Sequence, residues 1–173
     1  MLRYFIILIS LNLIVASCNL NTNNSEVTEK KISLAEQELF SGDITSPDIE
    51  KAKVLVSMYI EFANLHPKDS ISVEYLFKAA DISMNFGAAK KTIGIFNSLL
   101  NAYPDYRNLS PVSFLKGFVY EDQLRDYQMA KNCYMEYIEK YPNSVFADDA
   151  LISLQNLGKS PDELIEEFER NSQ

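Results

Sequence analysis

Residues 134–142 read YMEYIEKYP, and the same succession of large apolar positions closed by proline stands at 59–67 (YIEFANLHP) and at 96–104 (FNSLLNAYP). Aligned, the three are Tyr59-x-x-Phe62-Ala63-x-x-His66-Pro67, Phe96-x-x-Leu99-Leu100-x-x-Tyr103-Pro104 and Tyr134-x-x-Tyr137-Ile138-x-x-Tyr141-Pro142. Within each string the apolar positions fall three, one and three residues apart, which is one face of an α-helix. Each string ends in proline, which has no amide hydrogen to donate and clashes with the preceding turn, so each helix must stop there. The copies recur every 37–38 residues. A self-similar period of that length marks a stack of supersecondary units, each burying its apolar face against its neighbours.

Helix starts are legible around these strings. Ser46-Pro47, Ser110-Pro111 and Ser160-Pro161 each offer a hydroxyl N-cap followed by proline at the first helical position. Ser160 and Glu163 also have the spacing of a capping box. Ser70, after Asp69, is the expected cap of the stretch carrying Val73, Leu76, Phe77 and Ala80, while Gly87 and Gly158 stand at helix ends. Helices are predicted over 31–41, 48–66, 70–86, 88–103, 111–124, 127–141, 145–157 and 161–170, with no convincing strand. Loops this short make neighbouring helices antiparallel hairpins. Ala79-Ala80 and Gly117 on first helices, and Thr92 and Ala130 on second helices, are the small residues that let partner backbones approach. The expected fold class is all-α, an α-solenoid of helical hairpins.

The N-terminus is of another kind. Residues 1–18 read MLRYFIILISLNLIVASC: Arg3 beside the amino terminus, an apolar run over 4–15 broken only by Ser10 and Asn12, then the small pair Ala16-Ser17 before Cys18. The run is short for a span, which needs roughly 20 residues, and suits the apolar part of a signal peptide. Val15-Ala16-Ser17-Cys18 resembles a bacterial lipobox, in which the cysteine thiol is diacylated before cleavage on its N-terminal side. An ordinary cleaved signal peptide, or an uncleaved anchor with Cys18 incidental, is the plainer alternative. Residues 19–30, NLNTNNSEVTEK, hold two large apolar side chains and read as a tether. The expected organisation is a lipoprotein signal peptide over 1–17, a lipidated cysteine and flexible tether over 18–30, and a helical repeat domain over 31–173. Asn19 after the cysteine, with no acidic cluster following, is similar to Gram-negative sorting signals for the outer membrane. The resemblance implies a domain facing the periplasm.

Composition excludes several functions. Apolar residues make up 47% of the 173, with 10 Phe and 10 Tyr, so a core can be built. Sixteen Lys+Arg against 24 Asp+Glu give −8, which repels phosphate backbones and anionic lipid surfaces. Nucleic acid is therefore not an expected partner, and membrane contact falls to the lipid on Cys18. Catalysis needs converging groups. No elbow glycines flank a serine, and the single His66 falls at a helix end. Glu121-Asp122 and Asp148-Asp149 are sequence neighbours that point apart on a helix. Neither a metal site nor a cofactor is expected, and Cys133, on the apolar stripe beside Tyr134, reads as a small core residue.

The stretches 76–104 and 114–142 resemble the tetratricopeptide repeat, with its small and large positions alternating in both helices. Residues 48–67 are similar to the second half of an earlier unit, and 145–157 to the first half of a later one. The chain departs from the family in its longer period, in Thr92 where alanine is usual, and in the absence of a clear first helix for the leading unit. Long units behind a lipobox are similar to outer-membrane assembly lipoproteins of the BamD type. The resemblance implies a partner groove on the first helices, lined by Glu74, Phe77, Asp81, Met84 and Asn85 from one unit and Val112, Leu115, Val119, Asp122 and Gln123 from the next. Phe77, Met84, Leu115 and Val119 are the implied apolar anchors; packing between units is the alternative for half of the set. The basic residues that clamp a peptide carboxylate in some family members are missing at these positions. The last helix is implied to seal the stack with Leu164, Ile165 and Phe168 behind an acidic outer face.

These expectations add up to a lipid-anchored, non-enzymatic adaptor for a protein or peptide partner in the cell envelope. A module for cell-wall polymer or glycan, with aromatic stacking platforms, is the alternative; a mainly structural spacer is a third. Two acyl chains contribute about 0.8 kcal/mol per buried methylene and hold stably, so Cys18→Ser should appear in the soluble fraction or as uncleaved precursor. Membrane-bound Cys18→Ser protein with an unchanged mature N-terminus, seen by fractionation and N-terminal sequencing, would refute lipidation.

Overall fold

The computed structural model describes residues 27–41 and 48–171. The leader, Cys18, residues 19–26 of the tether and the Ser46-Pro47 cap lie outside the described residues. The helices are α1 (Glu29–Phe40), α2 (Ile49–Leu65), α3 (Ser70–Asn85), α4 (Ala89–Ala102), α5 (Leu109–Phe118), α6 (Tyr127–Lys140), α7 (Ala147–Asn156) and α8 (Pro161–Asn171). A π turn, Val119–Gln123, prolongs α5. From α1 to α7 each helix packs on the one before and the one after, so the described residues form an all-α solenoid of helical hairpins.

Two caps differ from expectation because a carboxylate stood nearby, and a third start, at α5, has no side-chain cap. Asp69, not Ser70, caps α3, its carboxylate accepting from the Ile71 amide at 3.1 Å; a charged acceptor also answers the helix dipole. Asp48 caps α2 through the amides of Glu50 and Lys51 at 3.0 and 3.1 Å. Helix α5 begins at Leu109, and the Ser110 hydroxyl pairs instead with that of Tyr137 at 2.9 Å. The capping box at α8 forms as read, with the Glu163 amide on Ser160 Oγ at 3.3 Å and the Ser160 amide on Glu163 Oε2 at 2.7 Å. At the other end, α1 starts at Glu29 behind a Thr28 cap. Val27, just outside that cap, is buried, so 27–30 belong to the folded part rather than to the tether.

The core is built around rings on the second helices. Tyr59, Phe96, Tyr134 and Tyr137 are all within 1% of complete burial. Ala79, Thr92 and Ala130 are fully buried beside them. Gly117 shows why the small positions matter: a Cβ there would lie 2.7 Å from Tyr134 Cε1. The ring is pinned, because its hydroxyl donates to Glu121 at 2.7 Å. In the first hairpin the Tyr59 hydroxyl donates to Glu36, which also takes the Lys78 ammonium at 2.7 Å. Burial disfavours the Glu36 charge, but the Lys78 and Tyr59 bonds outweigh it and hold the carboxyl below its usual range. Gly87 reverses the chain between α3 and α4 at φ 69°, and Arg125 adopts a comparable φ of 54° between the π turn and α6.

The expected seal at the C-terminal end is not made. Leu164 is half-buried, but Ile165 and Phe168 are exposed, and α8 does not pack along α7. The apolar side of α8 is left largely open, and Asp162, Glu163, Glu166, Glu167 and Glu169 occupy the rest of its surface. Only Glu167 finds a described cation, Lys159 at 2.5 Å.

Two glycine substitutions test the packing with opposite signs. Gly117→Ala should lose about 1–3 kcal/mol in urea unfolding through overpacking against Tyr134. Gly94→Ala, inside α4 with nothing within 4 Å of the added Cβ, should gain up to about 1 kcal/mol. Equal effects at the two positions would contradict the account.

Candidate functional site

On the first helices the implied groove positions separate into three groups. Val112 and Val119 are fully buried and belong to the core, not to a groove. Carrying the family's positions over set the stripe one residue too far along α5. The side bearing Val112 and Val119 turns inward, and the open side carries Leu115, Phe118 and Asp122.

A second group is spent on structure. Glu74 accepts from the Tyr106 hydroxyl at 3.0 Å and from Arg107 at 3.2 Å, tying α3 to the connection before α5. Gln123 donates to the Met84 carbonyl at 3.1 Å across two units, and its Oε1 is buried without a described partner. Asn85 turns back onto its own helix, donating to the Asp81 carbonyl at 3.0 Å. Met84 is half-buried against the core.

Phe77, Asp81, Leu115 and Asp122 remain as surface. Phe77 meets the Tyr106 ring edge-on at 6.0 Å, and Leu115 is half-buried against the core. Both carboxylates are exposed. Phe118, 39% exposed, was missed by the sequence reading; its signal was the three-residue step from Leu115, which puts both on one helix face. Tyr106 and Arg107 were missed as well, since nothing in a loop sequence shows that it folds back onto α3. Lys78, beside Phe77 in sequence, is paired with Glu36, and Arg107, beside Tyr106, with Glu74. The first-helix face thus offers Phe77, Leu115 and Phe118 with exposed Asp81 and Asp122, neither of which is in an ion pair among the described residues.

The other chemistry-bearing residues sit in structural roles. His66 ends α2, its ring 4.6 Å from that of Phe62. Burial pushes the Cys133 thiol up despite nearby Lys116, so it stays protonated and unreactive. Glu121 serves Tyr134, and Asp148 and Asp149 occupy the first turn of α7. Among the described residues no group of three or more His, Cys, Asp or Glu is placed to hold a metal ion. No described helix is long and apolar enough to cross a membrane.

Residues 112–144 match the family model described as Tetratricopeptide repeat. The match covers most of α5, the π turn and all of α6, the hairpin in which Tyr134 closes on Gly117. Over those residues the chain is similar to the tetratricopeptide repeat, and the described residues as a whole form a solenoid of helical hairpins. No curated protein and no solved structure matches the chain.

Proposed function

We propose that the chain is a non-enzymatic adaptor that holds a protein partner along the first-helix face and is itself anchored in the bacterial envelope through a lipid on Cys18. The observation that carries the binding role is the apolar set of Phe77, Leu115 and Phe118, presented by consecutive hairpins on a rigid scaffold. The exposed Asp81 and Asp122, neither in an ion pair among the described residues, suit a partner segment that is apolar on one side and basic on the other. Envelope placement rests on the order of charge, apolar run, small residues and cysteine over 1–18. The outer membrane, with the domain in the periplasm, and a place in an outer-membrane assembly complex are the finer parts of this reading. Glycan binding is less well supported, because Tyr59, Phe96, Tyr134 and Tyr137 are core residues and offer no stacking platform.

Crosslinking in cells followed by mass spectrometry tests the adaptor. The unaltered chain should crosslink to one or a few envelope proteins. Phe77→Glu with Phe118→Glu should cut that recovery at least about ten-fold, since each buries apolar area worth about 1.5 kcal/mol or more in a complex. Phe118→Glu alone should leave thermal unfolding little changed and still lower the recovery, because Phe118 is exposed, whereas Phe77 also packs against the core. Recovery of glycan without protein, or crosslinks indifferent to both substitutions, would overturn the reading.

A further inference from the structure

Ser113 and Lys116 lie on the side of α5 away from Leu115 and Phe118, since two and five residues at 3.6 per turn carry a side chain roughly half-way round from position 111. They face a cavity of about 230 Å³ between α4, α5 and α6, which Asn101, Cys133, Glu136 and Lys140 also line. Its origin can be read from the preceding unit. Lys78 and Lys116 hold the same position, each directly before the small residue, Ala79 or Gly117, of its helix. Lys78 is satisfied: Glu36 stands 2.7 Å away, and the rings of Tyr59 and Tyr75 lie 5.8 and 5.7 Å from its nitrogen. Three residues before Lys116 the ring is gone, for Ser113 stands where the earlier helix has Tyr75. The acid is gone too. Among the described ion pairs none involves Lys116 or Lys140, and Lys140 lies over the ring of its own neighbour Tyr141 at 5.4 Å.

The missing ring opens the space, and the missing acid leaves half-buried Lys116 without an ion-pair partner among the described residues. Two lysines and Glu136 give the lining a net charge of one positive unit, in a chain whose total is −8. The buried Cys133 thiol, kept neutral, adds nothing to oppose it. Leu100 and the Tyr137 ring supply an apolar wall, and the Asn101 side-chain amide a further donor. We propose that this cavity is a second binding site, separate from the first-helix groove, for a small organic monocarboxylate. The carboxylate sits between Lys116 and Lys140, and a short alkyl chain lies against Leu100 and Tyr137. At ~30 Å³ per water, the volume takes a ligand of about eight non-hydrogen atoms. Glu136 sets the preference for one negative charge over two.

The test is an NMR titration of the full chain with 4-methylpentanoate, its neutral amide 4-methylpentanamide, and inorganic phosphate, followed at the backbone amides of Asn101, Ser113, Lys116 and Cys133. The carboxylate should give saturable shifts, the amide none, and phosphate a weaker response. Lys116→Gln should weaken carboxylate binding about ten-fold or more, as loss of a charge-assisted hydrogen bond does. Ser113→Tyr, which restores the ring of the preceding unit, should abolish it while far-UV circular dichroism is unchanged. Equal binding of the amide, tighter binding of phosphate, no saturable shift, or indifference to Lys116→Gln would each overturn the proposal. Partner crosslinking at the groove should survive both substitutions, so the two sites fail or stand separately.

Discussion

The fold depends on large buried rings carried by the second helices, and at α5–α6 such a ring is seated against a first-helix residue too small to obstruct it. Tyr134 sits on Gly117, with 2.7 Å between the ring and the place a Cβ would take. Such seating lets two helix backbones approach closely, buries the ring completely, and leaves the opposite side of the first helix free. A tyrosine in this role brings a hydroxyl that must be satisfied once buried. Glu36 serves Tyr59 and Glu121 serves Tyr134. In the middle hairpin the ring is Phe96, which needs no acceptor, and the residue four after Ala79 is Ser83 rather than an acid. Its buried hydroxyl has no described partner, a mark of the pairing lost from that unit.

The same departures from perfect repetition create the surfaces with chemical character. Glu36 and Glu74 take up Lys78 and Arg107, which leaves the first-helix groove apolar and acidic. Where a tyrosine gives way to Ser113, a lysine is stranded beside a cavity. A strictly regular array would have filled the space and neutralised the charge. Function in such a stack is therefore to be sought where neighbouring units differ.

Period and proline made the hairpins legible in the sequence, because both report directly on backbone geometry. Gly117 and Ala130 could be read as close-approach sites for the same reason. The helix caps were read less well: at Asp69 and Ser70 the sequence offers two acceptors side by side, and only the backbone direction decides between them. The groove was legible in outline and wrong in phase at Val112 and Val119, since a one-residue shift along a helix rotates a side chain by about 100°. Contacts between distant segments, such as Glu74 with Tyr106 and Gln123 with Met84, leave no local pattern. Leu164, Ile165 and Phe168 have the periodicity of a sealing face, yet they make no seal on α7, because periodicity marks an apolar face without saying what it packs against.

The central claim is that the buried rings of the second helices hold the stack together, and Phe96 on α4 has no hydroxyl to complicate the result. Urea unfolding of Phe96→Ala, compared with Phe118→Ala on the open face, measures it directly. A loss of about 3–5 kcal/mol at Phe96 against about 0.5 kcal/mol or less at Phe118 is the predicted result. A loss below about 1 kcal/mol at Phe96, or equal losses at the two positions, would contradict it.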